Sequence, residues 1–93
     1  MKRRITYVTP TNEEVAVELK RWVSPEGRRG WRGVVRGHLV DFERAEHGIR
    51  GWYAFLVGRP RICPLAGNTR TLDACVCAAI DALDELRARQ KAG

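Results

Sequence analysis

From Leu72 to Leu86 the residues Leu72, Cys75, Val76, Ala79, Ile80, Leu83 and Leu86 fall at the three-four spacing of one apolar helical stripe. The segments before it are dominated by period two instead. A chain with one such helix can cover one face of a sheet and no more, and this constraint organises the rest of the reading. The helix has signals at both ends. Thr71 stands at its N-cap, Asp73 near the positive end of the dipole, and Arg87, Arg89 and Lys91 near the negative end. The spacing predicts a helix over 71–89, with a frayed tail beyond. Asp73, Asp81, Asp84, Glu85 and Ala88 lie largely off the stripe. At 1.5 Å per residue about twenty residues span some 30 Å, enough to cross four or five strands about 4.8 Å apart.

Alternation with breaks at turn residues predicts five short strands, over 3–9, 14–23, 31–42, 51–57 and 61–65. In the second, Val15, Val17 and Leu19 point one way, and Ala16, Glu18, Lys20 and Trp22 the other. Ser24-Pro25-Glu26-Gly27-Arg28-Arg29-Gly30 supplies a hairpin loop. In the third strand Trp31, Gly33, Val35, Gly37 and Leu39 share one side, and Arg32, Val34, Arg36, His38 and Val40 share the other. The glycines there are expected to admit a covering helix. The segment 51–57 is apolar on both sides, so either Trp52, Ala54 and Leu56 or Tyr53, Phe55 and Val57 must face away from the core. The last strand, between Pro60 and Pro64, suits an edge. The expected fold is α+β: a four- to five-stranded antiparallel meander packed on one face by a single C-terminal helix, with residues 1–93 forming one domain.

Ninety-three residues are enough for one small core, burying roughly 60–65% of the surface exposed when unfolded. The longest uncharged stretch is far short of the roughly 18–20 residues that span a bilayer, and Met1-Lys2-Arg3-Arg4 leads into no long apolar run, so neither a membrane span nor a signal peptide is expected. Cys63, Cys75 and Cys77 are odd in number and carry no disulfide-framework spacing, which favours a reducing compartment such as the cytoplasm. The net charge of +6 is uneven. Residues 1–36 hold nine basic and four acidic groups, residues 37–70 five and three, and residues 71–93 three and four. Such a field attracts polyanions or acidic protein surfaces.

Motifs for chemistry are weak. Gly27-Arg28-Arg29-Gly30 spells the G-x-x-G loop of KH domains, but such a loop joins two helices, whereas here Pro25 precedes the glycines and a strand follows. A charged hairpin tip is the simpler reading. The cysteines with His38 or His47 furnish zinc-type ligands, yet Cys75 and Cys77 are two apart on a helix, about 200° around its axis, so no metal is expected. Neither histidine accompanies a nucleophile motif, and Glu85 with Arg89 four residues on reads as a helix-surface pair, so no enzyme and no cofactor are expected.

Thr71-Leu72-Asp73-Ala74, following a sheet of hairpins, resembles the helix start of AP2-type DNA-binding domains. That likeness implies a three-stranded sheet in the major groove backed by a helix. Small size and strong basicity also resemble accessory proteins of phages and mobile elements, many of which block a host protein. The expected interface is the sheet face turned away from the helix, with Lys20, Trp22, Arg32, Arg36, His38 and Phe55, together with Arg28 and Arg29 of the hairpin. Aromatics interleaved with cations suit stacked bases and phosphates. The same face could instead meet an acidic protein surface, a host protein or a second copy in a homodimer.

Overall fold

The computed structural model describes residues 2–25, 27–44, 51–59 and 64–92. Its elements are β1 (Lys2–Val8), β2 (Glu14–Val23), β3 (Arg29–Val35), β4 (His38–Arg44), β5 (Trp52–Leu56), β6 (Ala66–Thr69) and α1 (Leu72–Ala92). The strands form one antiparallel sheet in the order β1-β2-β3-β4-β5-β6, a meander of six strands where four or five were expected. Two differences account for the count. The expected strand over 31–42 is two strands joined by Arg36-Gly37, with φ of 49° and 81°. Positive φ at both central residues is the primed hairpin turn that matches strand twist. Residues 61–63 of the expected last strand, 61–65, lie outside the described residues, and the described edge strand falls later, at Ala66–Thr69.

The hairpin at Arg36-Gly37 inverts the assignment of faces beyond it. Val35 pairs with His38, Gly33 with Val40 and Trp31 with Phe42, so Val40 and Phe42 join Trp31, Gly33 and Val35 on the helix side. Leu39, Asp41 and Glu43 turn to the open side, where the unbroken alternation had put Val40. The phase of β5 is settled by Phe42 pairing with Ala54: Trp52, Ala54 and Leu56 face the helix, and Tyr53 and Phe55 the open side.

The core joins Ile5, Val17, Leu19, Trp31, Val35, Val40, Phe42 and Ala54 of the sheet to Leu72, Cys75, Val76, Ala79, Ile80 and Leu83 of α1. Each large aliphatic side chain buried here contributes about 1.5–3 kcal/mol. The helix packs on β5 and β6 and also reaches β1 at the opposite edge, so the sheet curls around it as a half-barrel. Gly33 serves this curl rather than a close helix approach. A Cβ there would lie 2.7 Å from the Glu18 carbonyl oxygen and 2.8 Å from Leu19 Cδ2, so the adjacent strand and its leucine occupy the space.

Helix α1 starts as expected, with Thr71 Oγ1 accepting from the Ala74 N–H at 3.1 Å, and it continues to Ala92 past the predicted end. Leu86 lies on the stripe but is exposed, because the last turns project beyond the sheet. Three of the off-stripe carboxylates, Asp73, Asp81 and Asp84, are tethers to the sheet. Tyr7 Oη donates to Asp81 at 2.9 and 3.1 Å, and Arg36 bonds Asp84, while Arg3 pairs with Asp73 at 2.6 Å. Glu85 and Arg89 form the expected helix-surface pair at 2.7 Å. No helix of the described residues is long and apolar enough to cross a membrane.

Candidate functional site

The open face is built in rows across the strands. One row runs Lys2, Lys20, Arg32, Asp41 and Phe55, and the next runs Trp22, Gly30, Glu43 and Tyr53. Lys20, Trp22, Arg32 and Phe55 therefore share this face, as expected. Arg36 and His38 do not. The turn carries the Arg36 guanidinium towards the helix, where it bonds Glu13 at 2.5 and 3.1 Å and Asp84 at 3.0 Å. His38 pairs with Val35 and lines a cleft of about 460 Å³ with Leu83 and Leu86 of α1, at the end of the sheet opposite the Arg28 hairpin.

Two acidic residues change the electrostatics of the open face. Asp41 and Glu43 are 3% and 5% exposed although they face away from the helix. Asp41 accepts two bonds from Arg32, from Nε at 2.5 Å and from Nη2 at 3.1 Å. Arg32 in turn lies 4.3 Å from the Trp22 ring centroid. This pairing holds the Arg32 guanidinium more firmly protonated than usual, the bond to Asp41 outweighing partial burial. Arg32 is thus a structural cation in a half-buried network, not a spare charge. Phe55 stacks with Tyr53 at 6.5 Å between centroids, and Tyr53 lies over Gly67, where a Cβ would come 2.5 Å from its ring. Trp22, Arg32, Asp41 and Phe55 border a depression of about 250 Å³.

Unpaired cations collect elsewhere. Arg28 and Arg29 lie at the β2–β3 hairpin, whose shape is fixed by Ser24 Oγ accepting from the Arg28 N–H at 2.9 Å. Arg21 lies across from Trp31, with its guanidinium 5.3 Å from the ring centroid. Arg29 and Arg44 each stand one position beyond the paired Gly30 and Glu43, on the helix side of the sheet. Arg44 pairs with Trp52, Trp52 with Thr69, and Arg70 follows directly. Among the described residues Arg4, Arg21, Arg28, Arg29, Arg44, Arg59, Arg70 and Arg87 have no ion pair, whereas Arg3, Arg32 and Arg89 each have one and Arg36 has two. Arg21, Arg28, Arg29, Arg44 and Arg70 gather at the Arg28 end, while the similarly unpaired Arg59 and Arg87 line the cleft beside His38 at the other.

Trp52, one of the two alternatives for the open face, lies on the helix side, and Arg21, Arg44 and Arg70 were missed by sequence reasoning. Their one signal was the basic excess before residue 71; only strand register puts them together. Among the described residues no group of three or more His, Cys, Asp or Glu side chains could hold a metal ion. Cys75 is buried and Cys77 partly so, while Cys63 lies outside the described residues. Burial pushes the Cys75 thiol up to about 11, which leaves it protonated and unreactive at neutral pH.

Fold and site define a small α+β half-barrel with a cationic end and an aromatic open face. No protein-family model, curated protein or solved structure matches the chain. The six-stranded sheet is also larger than the three-stranded one implied by the AP2-type likeness.

Proposed function

We propose that this chain is a non-enzymatic module of the cytoplasm that binds nucleic acid through the cationic end of its sheet. The observation that carries the reading is the gathering of Arg21, Arg28, Arg29 and Arg44 at one end, without carboxylate partners among the described residues. Free guanidinium groups can exchange counterions for phosphates, whereas an ion-paired one must first lose its partner. Trp22, half-buried and next to the same hairpin, offers a ring for stacking. The interface is thereby moved from the middle of the open face to the hairpin end of the sheet, with Lys20 and Trp22 on its open side and Arg21, Arg29 and Arg44 on its helix side. Lys20, Trp22, Arg28 and Arg29 stay in it, and Arg32 acts by orienting Trp22.

Fluorescence anisotropy with labelled single- and double-stranded oligonucleotides over a salt series tests this. Three or four neutralised phosphates give a logarithmic slope of about −3 to −4 on duplex DNA. Replacing Arg21 and Arg29 together by Gln should reduce the slope by about 2, whereas Arg36→Gln should leave it unchanged. Absence of binding to every strand form at low salt would end the proposal.

A second reading, a protein-interaction module, has its own support. Leu39, Val57 and Leu86 are among the exposed large apolar residues, and all three line the cleft beside His38. Leu86→Asp should then abolish capture of a partner while Trp22→Asp spares it.

A further inference from the structure

We propose that a cavity of about 560 Å³, lined by Arg44, Gly51, Trp52, Asn68, Thr69 and Arg70, takes a nucleoside phosphate, with the phosphate held by the two arginines and the base against Trp52. The inference rests on the nucleic-acid reading where the ligand is a strand terminus, and stands apart from it where the ligand is a free nucleotide.

Three observations converge on this chemistry. The cavity's size falls within the roughly 300–1,000 Å³ of small-molecule sites. Unlike the cleft beside His38, which includes Asp84, and the depression beside Trp22, which includes Asp41, it has no carboxylate among its described lining residues. Neither Arg44 nor Arg70 is ion-paired among the described residues, and guanidinium groups grip phosphate oxygens in pairs.

Register supplies the layout. Arg44, Trp52 and Thr69 form one row across β4, β5 and β6, with Arg70 next along the chain. Two strand spacings of about 4.8 Å separate Arg44 from Thr69 by roughly 10 Å, with Trp52 between them and Arg70 one residue beyond Thr69. Gly51 leaves its corner open: with φ of 150° it has no side chain, and a Cβ would lie 3.1 Å from the Thr69 carbonyl oxygen. Asn68, held at φ of 59°, is exposed and brings an amide able both to donate to and accept from a base edge. Thr69 Oγ1 is already committed to the carbonyl oxygens of Trp52 and Thr71, so it shapes the wall rather than binding. The first turn of α1 begins two residues beyond Arg70, adding the positive end of its dipole. The carboxylate of that turn, Asp73, is held by Arg3.

The test compares one oligonucleotide sequence with a 5′-phosphate, with a 3′-phosphate and with neither, alongside AMP and inorganic phosphate. Affinity is measured by anisotropy or calorimetry, and the Trp52 indole N–H resonance is followed by NMR. A terminal phosphate is expected to raise affinity about tenfold, and Arg70→Gln should return the ratio of phosphorylated to unphosphorylated affinities to about one. AMP binding with a saturable Trp52 shift, but with no preference for strand termini, assigns the cavity to free nucleotide. A ratio near one in the unaltered protein together with an unmoved Trp52 resonance overturns the inference. So does inorganic phosphate binding as tightly as AMP without moving Trp52. If the oligonucleotides still bind with salt dependence in those cases, the nucleic-acid reading survives alone; if only AMP binds, that reading falls and the cavity assignment stands.

Discussion

Removing the Arg32 side chain tests the claim that this cation is structural. In Arg32→Leu the Asp41 carboxylate, 3% exposed, loses two charge-assisted bonds, and Trp22 loses the guanidinium 4.3 Å from its ring centroid. An exposed ion pair is worth about 0–1 kcal/mol, and breaking a fully buried one costs about 3–5 kcal/mol. With the Arg32 side chain 30% exposed and that of Asp41 4%, the expected loss lies between, at about 2–3 kcal/mol with the cation–π contact included. For a domain of this length that lowers the melting temperature by about 10–20 °C. Urea unfolding of Arg32→Leu, Asp41→Leu and the double variant closes a cycle, and its coupling energy should be about 1–2 kcal/mol. Arg3→Gln is the control, because the side chains of Arg3 and Asp73 are 48% and 58% exposed and their pair should cost under about 1 kcal/mol. A loss below about 1 kcal/mol for Arg32→Leu, or single effects that add within about 0.5 kcal/mol, would refute the network.

Three further outcomes follow from the packing and the proton equilibria. Gly33→Ala should destabilise by more than about 2 kcal/mol in urea melts, because its Cβ meets the Glu18 carbonyl oxygen, and the cost of Gly37→Ala should stay near 1 kcal/mol, since the left-handed φ of 81° is strained but space is open. Leu83→Ala should cost about 2–4 kcal/mol and Leu86→Ala under about 1, measured the same way, since only the first is buried. A thiol reagent at pH 8 should label Cys77 well before Cys75. Because folding raises the Cys75 pKa from 9.0 to about 11, the unfolded chain releases that proton first, so this group's contribution falls as pH rises from 9 to 11 and is constant below 9. Cys75→Ala should flatten the melting temperature over that interval.

The helix was legible because its signals are local: a hydroxyl at Thr71, an acid at Asp73 and a three-four stripe to Leu83. The Arg36-Gly37 turn was not, for a reason of parity. A two-residue hairpin puts Val35 and His38 on the same face, three apart, while the text reads on as alternation without a break. One missed turn thus misplaced both Arg36 and His38. The edge strand Ala66–Thr69 has little intrinsic strand preference. Its pairing with β5 and the Tyr53 ring lying over Gly67 are tertiary, and neither is written in its four residues. Burial of Asp41 and Glu43 was equally hidden. Alternation marks them as facing outward, but the Arg32 pair that covers Asp41 depends on the β3–β4 register, which the missed turn hid.

Arg36 illustrates why a basic sequence and a basic surface are different things. Its backbone accepts φ of 49°, unusual for arginine, and its guanidinium spans Glu13 before β2 and Asp84 on α1. The pair holds the Glu13 carboxyl below the usual carboxylate range, the bond to Arg36 outweighing partial desolvation. The sign of the linkage follows: the folded state favours ionised Glu13, so this tether is fully formed above the ordinary carboxylate range and is lost as pH falls through the depressed value. An NMR titration should find the Glu13 midpoint moved up in Arg36→Gln. An unmoved midpoint would mean that Arg36 is free for phosphate after all, and that the separation of tethering cations from binding cations, on which the cationic end depends, has been drawn in the wrong place.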